Sequence, residues 1–479
     1  MSSTSTDRRW LALVLLAAAQ FVVVLDASIV NVALPSIGQS LSFSPDDLSW
    51  VVNAYTLAFG GFLLLGGRLA DLLGRRRLFI LGLILFAGAS LAGGFAQSDI
   101  QLIIARAVQG LGAALLSPAA LSLVTVLFKE GAERNKAMGV WGAVAGSGGA
   151  AGVLLGGMLT EWAGWEWVLF VNVPIGVAAA LLAPRLLPES REEGHRHFDV
   201  AGAITVTAGL SLLVYSLVNA NEAGWTSTET LVLLGVALVI LAVFVVLELR
   251  NRAPLVPFPG IFRLRTVRGV NLTGLLVAAA LFSMFFFISL YLQQVLGFDA
   301  LETGLGYLPL AGGIIVSAGI ASTLVTRLGV RPVLVAGLLL TAIGLLWFSQ
   351  ISVGGSYLAD ILGPSLVSAF GLGFAFVPMT IAAVAGVEPH EAGLASGMIN
   401  TSQQIGGALG LAVLASIGNS RRDSVLEAGS ALPNAMTEGF QLALTVGAGM
   451  AIVGALAAYF LVSPSTPAEP DGNAVPVMT

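Results

Sequence analysis

Fourteen apolar stretches, each long enough to cross a bilayer as a helix, leave this chain few folds to choose from. They run over about residues 10–35, 48–70, 77–97, 100–127, 136–160, 166–188, 200–219, 229–249, 267–293, 303–326, 332–350, 357–385, 391–418 and 437–462. A spanning helix needs about 20 predominantly apolar residues, and in lipid only helices and closed barrels satisfy the backbone. The predicted fold class is therefore an all-α integral membrane protein. The first stretch follows Arg8 and Arg9 as the core of a signal peptide would. It continues well past Ala17, Ala18 and Ala19 without a turn, and so reads as a retained span. Residues 466–479 are Pro-rich and polar and are expected to form a disordered cytoplasmic tail.

Composition removes several kinds of chemistry. With no Cys in 479 residues, disulfides, Cys-ligated zinc and iron–sulfur clusters are excluded. The two lysines, Lys129 and Lys136, sit in no glycine-rich phosphate loop, so the chain carries no P-loop ATPase. His195, His197 and His390 all fall in polar connections, which argues against a haem or a histidine relay in the membrane. A net charge of −5 gives no footprint for nucleic acid. No catalytic residue, metal site or cofactor is expected.

Orientation follows from the basic residues. Of the 22 Lys and Arg, 19 lie on alternate connections, Arg421 and Arg422 lie on the other side, and Arg106 is inside a span. The positive-inside rule then places both termini in the cytoplasm. The two ends of the chain also resemble each other at offsets of about 255 to 261. Leu72-Leu73-Gly74-Arg75-Arg76 recurs as Arg327-Leu328-Gly329-Val330-Arg331, and Gly110-Leu111-Gly112 recurs as Gly371-Leu372-Gly373. Gly148-Gly149-Ala150 and Gly152 recur as Gly406-Gly407-Ala408 and Gly410. A duplicated six-span unit predicts bundles at 1–190 and 253–465, with a linker and two extra spans at 191–252. Two such halves place a site at their midplane interface and rock around it.

Ionisable side chains deep in a span cost about 2.5–3.5 kcal/mol even on the lenient insertion scale, so they mark function. Asp26 lies about 15 Å into the first span from its outer end, Arg106 about 10 Å into the fourth, and Gln109 one turn deeper. These three are the candidate proton-coupling group. Burial disfavours an ionised carboxyl and a nearby guanidinium favours it. A balance that shifts as the site opens to either side is what a proton carrier needs, and such an acid must reach water. The plainer reading is a static Asp26–Arg106 pair pinning two helices. At the turn after the second span, Asp71 can pair with the neighbouring arginines or cap a helix N-terminus in one conformation only. Its repeat counterpart, Thr326, is uncharged, so this latch is expected to be one-sided. Gly148, Gly152, Gly156 and Gly157 in the fifth span suit a hinge or close helix packing. Ser396, Asn400 and Gln403 form a polar stripe on the thirteenth span, and with Asn53 and Tyr55 they are the substrate-contact candidates.

These residues also form motifs. The first-span run from Leu25-Asp26 to Leu34-Pro35 and the loop from Gly67 through Asp71, Gly74, Arg75 and Arg76 resemble the major facilitator superfamily, specifically its 14-span drug:proton antiporters. Arg106-Ala107-Val108-Gln109-Gly110 and Asn172-Val173-Pro174-Ile175-Gly176 add to the likeness. One departure is Val153 after Gly152, where that family's fifth-span motif usually has Pro. The resemblance implies two six-helix bundles plus two central helices, a multi-pass bacterial inner-membrane location, and function as a monomer. It further implies proton-driven export of small hydrophobic drug-like compounds, cationic ones included, among membrane lipids, with the proton as the coupling ion. A proton-coupled nutrient importer on the same fold stays open at this point, as does a non-transporting membrane protein.

Overall fold

The computed structural model describes residues 3–43, 48–129, 131–190, 199–251, 254–256, 260–388 and 391–463. His195, His197, His390 and the tail 466–479 lie outside the described residues, and the expected unit boundaries near 190 and 252 fall at their edges. Fourteen long helices account for the spans. The first six are α1 (Ser3–Ser40), α2 (Trp50–Leu73), α3 (Arg75–Gly94), α4 (Asp99–Leu127), α5 (Ala132–Trp162) and α6 (Asn172–Leu186). Next come α7 (Val200–Ala223) and α8 (Thr228–Arg250). The last six are α9 (Arg265–Leu290), α10 (Leu308–Leu328), α11 (Val330–Phe348), α12 (Gly363–Ala383), α13 (Ala392–Glu427) and α14 (Leu432–Leu461).

Among the described residues thirteen spans are long and apolar enough to cross a membrane, the sixth counted from Trp167 to Leu186 across the break before α6; α13 is long enough but too polar. Its place in the fold explains that. It packs against α2, α9 and α14, so protein rather than lipid covers much of its surface. The reverse holds for α8, which packs principally on α7 and exposes Leu231, Val232, Leu238, Val239 and Val243.

The duplication is visible in space. In the first half α1 packs on α5 and α6, α4 on α2 and α3, and α3 on α6. In the second half α9 packs on α13 and α14, α12 on α10 and α11, and α11 on α14. Between the halves, α2 meets α13 and α5 meets α10, and these two contacts are mates under the same repeat. The extra helix α7 rests on α2 and α13, one from each half.

Glycines set the close crossings and correct one detail of the sequence repeat. A Cβ on Gly112 would strike Phe86 of α3, whereas one on Gly373, its match at offset 261, would strike Ser317 of α10. Gly371 is the residue that meets α11, through Thr341. The spatial repeat in the fourth span therefore runs at 259, and the paired Gly-Leu-Gly motifs present different faces. In the fifth span the matches at offset 258 hold: Gly152 sits over Leu25 and Ser28 of α1, and Gly406 and Gly410 over Leu275 and Ala279 of α9.

Candidate functional site

Asp26 of α1 is the centre of a cluster sealed from solvent. Arg106 Nη1 donates to Asp26 Oδ2 at 2.6 Å, while Gln109 Nε2 and Asn172 Nδ2 each donate to Oδ1 at 2.7 Å. Arg106 also donates from Nη1 to Gln109 Oε1 at 2.6 Å and from Nε to the Val51 carbonyl at 3.0 Å. Its guanidinium lies 4.4 Å from the centre of the Tyr55 ring, a cation–π geometry. Ser90 accepts from Gln109 and Asn172 at 3.2 and 3.1 Å and donates to the Leu169 carbonyl at 2.8 Å. Five elements thus converge: α1, α2, α3, α4 and the start of α6.

Local chemistry brings them there. Arg106 and Gln109 are one turn apart on α4 and so share a face. The helix is interrupted at Val171, and Pro174 falls in the first turn of α6, where its missing N–H costs no helical bond. Asn172 is therefore the first residue of α6, and its amide reaches into the cluster. A buried ion pair is sustained only when its remaining lone pairs and protons are bonded, and Gln109, Asn172 and Val51 do this. Asn172 Oδ1 is the exception, buried with no partner.

The structure brings together Asp26, Arg106 and Gln109 as the depth arithmetic expected. It does not give Asp26 an aqueous route, because Asp26 is 0% and Arg106 1% exposed in this conformation. The static ion pair is what this state displays. Sequence reasoning missed Ser90 and gave Asn172 no role. A lone Ser in a span ordinarily bonds its own helix, so nothing marked Ser90 out, whereas Asn172 had a signal in the motif around Pro174.

The second constellation sits where the arginine-rich ends of the helices meet. Asp71 Oδ1 accepts from Arg75 Nη2 and Nε at 2.9 and 3.2 Å. The same carboxylate reaches across the halves, accepting from the backbone N–H of Gly393 at 3.1 Å and of Leu394 at 3.0 Å. It therefore pairs and caps at once, placing a negative charge at the N-terminus of α13. Gly67 permits the approach, since a Cβ there would collide with the Gly393 carbonyl. Gly74, at φ +109°, makes the turn between α2 and α3 in a conformation that L side chains avoid. Arg76 and Arg77 pair with Glu189 at 3.6 and 3.7 Å, a partner not anticipated from sequence.

The expectation of a one-sided latch needs correction. Thr326 Oγ1 accepts from Asn135 Nδ2 at 2.9 Å, and Asn135 is the repeat mate of Gly393. Both mates link the halves, one through a charge and one through a neutral hydrogen bond.

On α5, Gly148, Gly152 and Gly156 face Val24, Ser28 and Ile29 of α1, and Gly157 is buried nearby. A Cβ on Gly152 would lie 2.7 Å from the Leu25 carbonyl. Gly152→Ala should therefore lower thermal stability by about 1–3 kcal/mol through overpacking. Gly149→Ala meets nothing within 4 Å and should not destabilise. Melting curves of the two purified variants check the pair; equal melting would contradict the close crossing.

The substrate-contact candidates separate. Tyr55 is buried behind Arg106, its hydroxyl donating to the Val23 carbonyl at 3.3 Å. Ser396 is sealed and donates to Ala392 of its own helix. Asn53, Asn400 and Gln403 are half-buried; Asn53 lines a recess with Trp50, Tyr215 and Asn219 between α2 and α7. No group of three or more metal-ligating side chains occurs among the described residues.

Two bundles related by an internal repeat, with an ion pair buried in one, are the arrangement of a transporter-type membrane protein. The sequence pattern of the Major Facilitator Superfamily matches residues 16–411, and the chain belongs to that family. It is 40% identical to the puromycin resistance protein pur8 of Streptomyces alboniger over 98% of this chain and 94% of that one. It is 44% identical to the cephamycin export protein CmcT of Amycolatopsis lactamdurans, covering 87% and 86% of the two chains. Among solved structures, the human organic anion transporter MFSD10 superposes with a TM-score of 0.68 at 18% identity, over 94% of this chain and 99% of that one, a likeness of fold.

Proposed function

We propose that this chain exports small hydrophobic compounds, cationic ones among them, across a bacterial inner membrane in exchange for protons. The observation that carries the coupling is the sealed Asp26–Arg106–Gln109–Asn172 cluster. Protonating Asp26 at either oxygen costs one of its three N–H···O bonds and leaves Arg106 without its counter-charge. The ionised and protonated acids therefore cannot share one geometry, which makes the cluster a two-state element. Asn172 Oδ1, buried without a partner, is an acceptor ready for an acid proton once the amide turns over. Protons reach Asp26 in a second conformation, when rocking of the bundles 1–190 and 253–465 is accompanied by loosening of the α1, α2 and α4 contacts that seal the cluster within the first.

By the positive-inside reading the Asp71 and Thr326 latches lie at the cytoplasmic side, so the conformation described is closed towards the cytoplasm. Asn53, Asn400 and Gln403, half-buried on helices that meet between the halves, are the side chains placed to touch substrate. Relatives named for puromycin resistance and cephamycin export support a drug-like cargo. Inside-out vesicles with an acidified lumen test the direction. Wild type should accumulate a fluorescent cationic dye or puromycin and collapse the gradient. Substrate leaving the lumen along with protons would instead establish an importer.

A further inference from the structure

A recess of about 210 Å³ opens where the arginine-bearing starts of α9 and α11 meet the end of α14. Its walls are Arg265, Arg331, Tyr459, Phe460, Val462 and Ser463. Arg331 lies 4.5 Å from the centre of the Tyr459 ring, and no carboxylate pairs with Arg265 or Arg331 among the described residues. Tyr459 and Phe460 are exposed on the outside of the bundle, where aromatic rings sit at headgroup depth.

The internal repeat supplies the control. Gly74 and Gly329 are mates, both at positive φ and both opening the third helix of their half. Arg76 and Arg331 each follow two residues later. In the first half Glu189 supplies Arg76 with an anion, and the Leu187 carbonyl accepts from its Nη1. That acid lies three residues past the end of α6. The corresponding stretch past α14 reads Val462-Ser463-Pro464, with no acid. Where the first half holds a carboxylate, the second half has an open recess with two cations.

From this we infer that the recess binds the phosphate of an anionic phospholipid headgroup, which replaces the missing carboxylate. The aromatic rim takes the adjoining glycerol and acyl ends. A zwitterionic lipid fits less well, because its ammonium would face two guanidinium groups with no acid among the described residues to receive it.

The test uses the full chain in nanodiscs of phosphatidylcholine with a rising fraction of phosphatidylglycerol. Retained lipid is counted by native mass spectrometry and stability is followed by melting. Wild type should retain phosphatidylglycerol and melt higher as its fraction rises. Arg265→Gln and Arg331→Gln should each weaken retention roughly fivefold. Ser463→Glu, which restores an acid at the rim, should lower retention without lowering the Tm in pure phosphatidylcholine. Equal retention by wild type and the double arginine variant would overturn the assignment. So would full stabilisation by inorganic phosphate in phosphatidylcholine alone, since the recess would then be a free-phosphate site.

Discussion

Replacing Asp26 by asparagine should abolish proton-driven export and leave a less stable protein. The variant keeps shape and loses charge, so Arg106 is buried without its counter-ion. Removing one partner of a buried pair costs about 3–5 kcal/mol. An amide also fits poorly among the donors from Arg106, Gln109 and Asn172, because its own N–H group must face one of them. The double variant Asp26→Asn/Arg106→Gln removes both charges and should regain much of the melting temperature. It should regain none of the dye efflux or puromycin resistance in a pump-deficient host. This pattern separates coupling from scaffolding. If the double variant regained transport along with stability, the pair would be a pin between helices and the proton would travel elsewhere.

The second large effect is expected at Asp71. Asp71→Asn takes away the charge that Arg75 and the N-terminus of α13 share. The loss falls on the closed arrangement, since only there are both ends of the contact buried. A bias of about 3 kcal/mol multiplies the open-to-closed ratio roughly 150-fold. The chain has no cysteine, so a single one reports on one position. Leu64 is well placed, lying over Gly397 at the junction of α2 and α13 and nearly buried. In inside-out vesicles a membrane-impermeant maleimide should label Leu64→Cys slowly, and much faster when Asp71→Asn is added. Thr326→Val, which removes only a neutral bond, should accelerate labelling far less. Unchanged labelling in the Asp71 variant would show that the halves are held shut by packing alone.

Much of this molecule was readable from its residues, for identifiable reasons. A backbone in lipid has one economical way to satisfy its polar groups, so apolar runs translate almost directly into helices. α13 is readable despite its polarity because the repeat demands a partner for α5. Asp26 and Arg106 stood out because charge in hydrocarbon is costly, and counting 1.5 Å per residue placed them at similar depth. Ser90 did not, because a small polar side chain in a span carries no such penalty when its own helix can satisfy it, and Asn172 was marked only by the motif around Pro174.

The amino-acid sequence by itself determined the number of spans, the duplication and the burial of one acid beside one base. Those follow from hydropathy and helix geometry, which act locally and leave a periodic trace. Only the tertiary structure decided that Asp26 is closed to water in this state, and that Asp71 pairs and caps together. It also decided that Thr326 has its own inter-bundle bond, and that an arginine balanced by Glu189 in one half faces an open recess in the other. Each of these depends on which groups meet across distant parts of the chain. Distance and direction between helices leave no period in a sequence, so nothing short of packed coordinates reveals them.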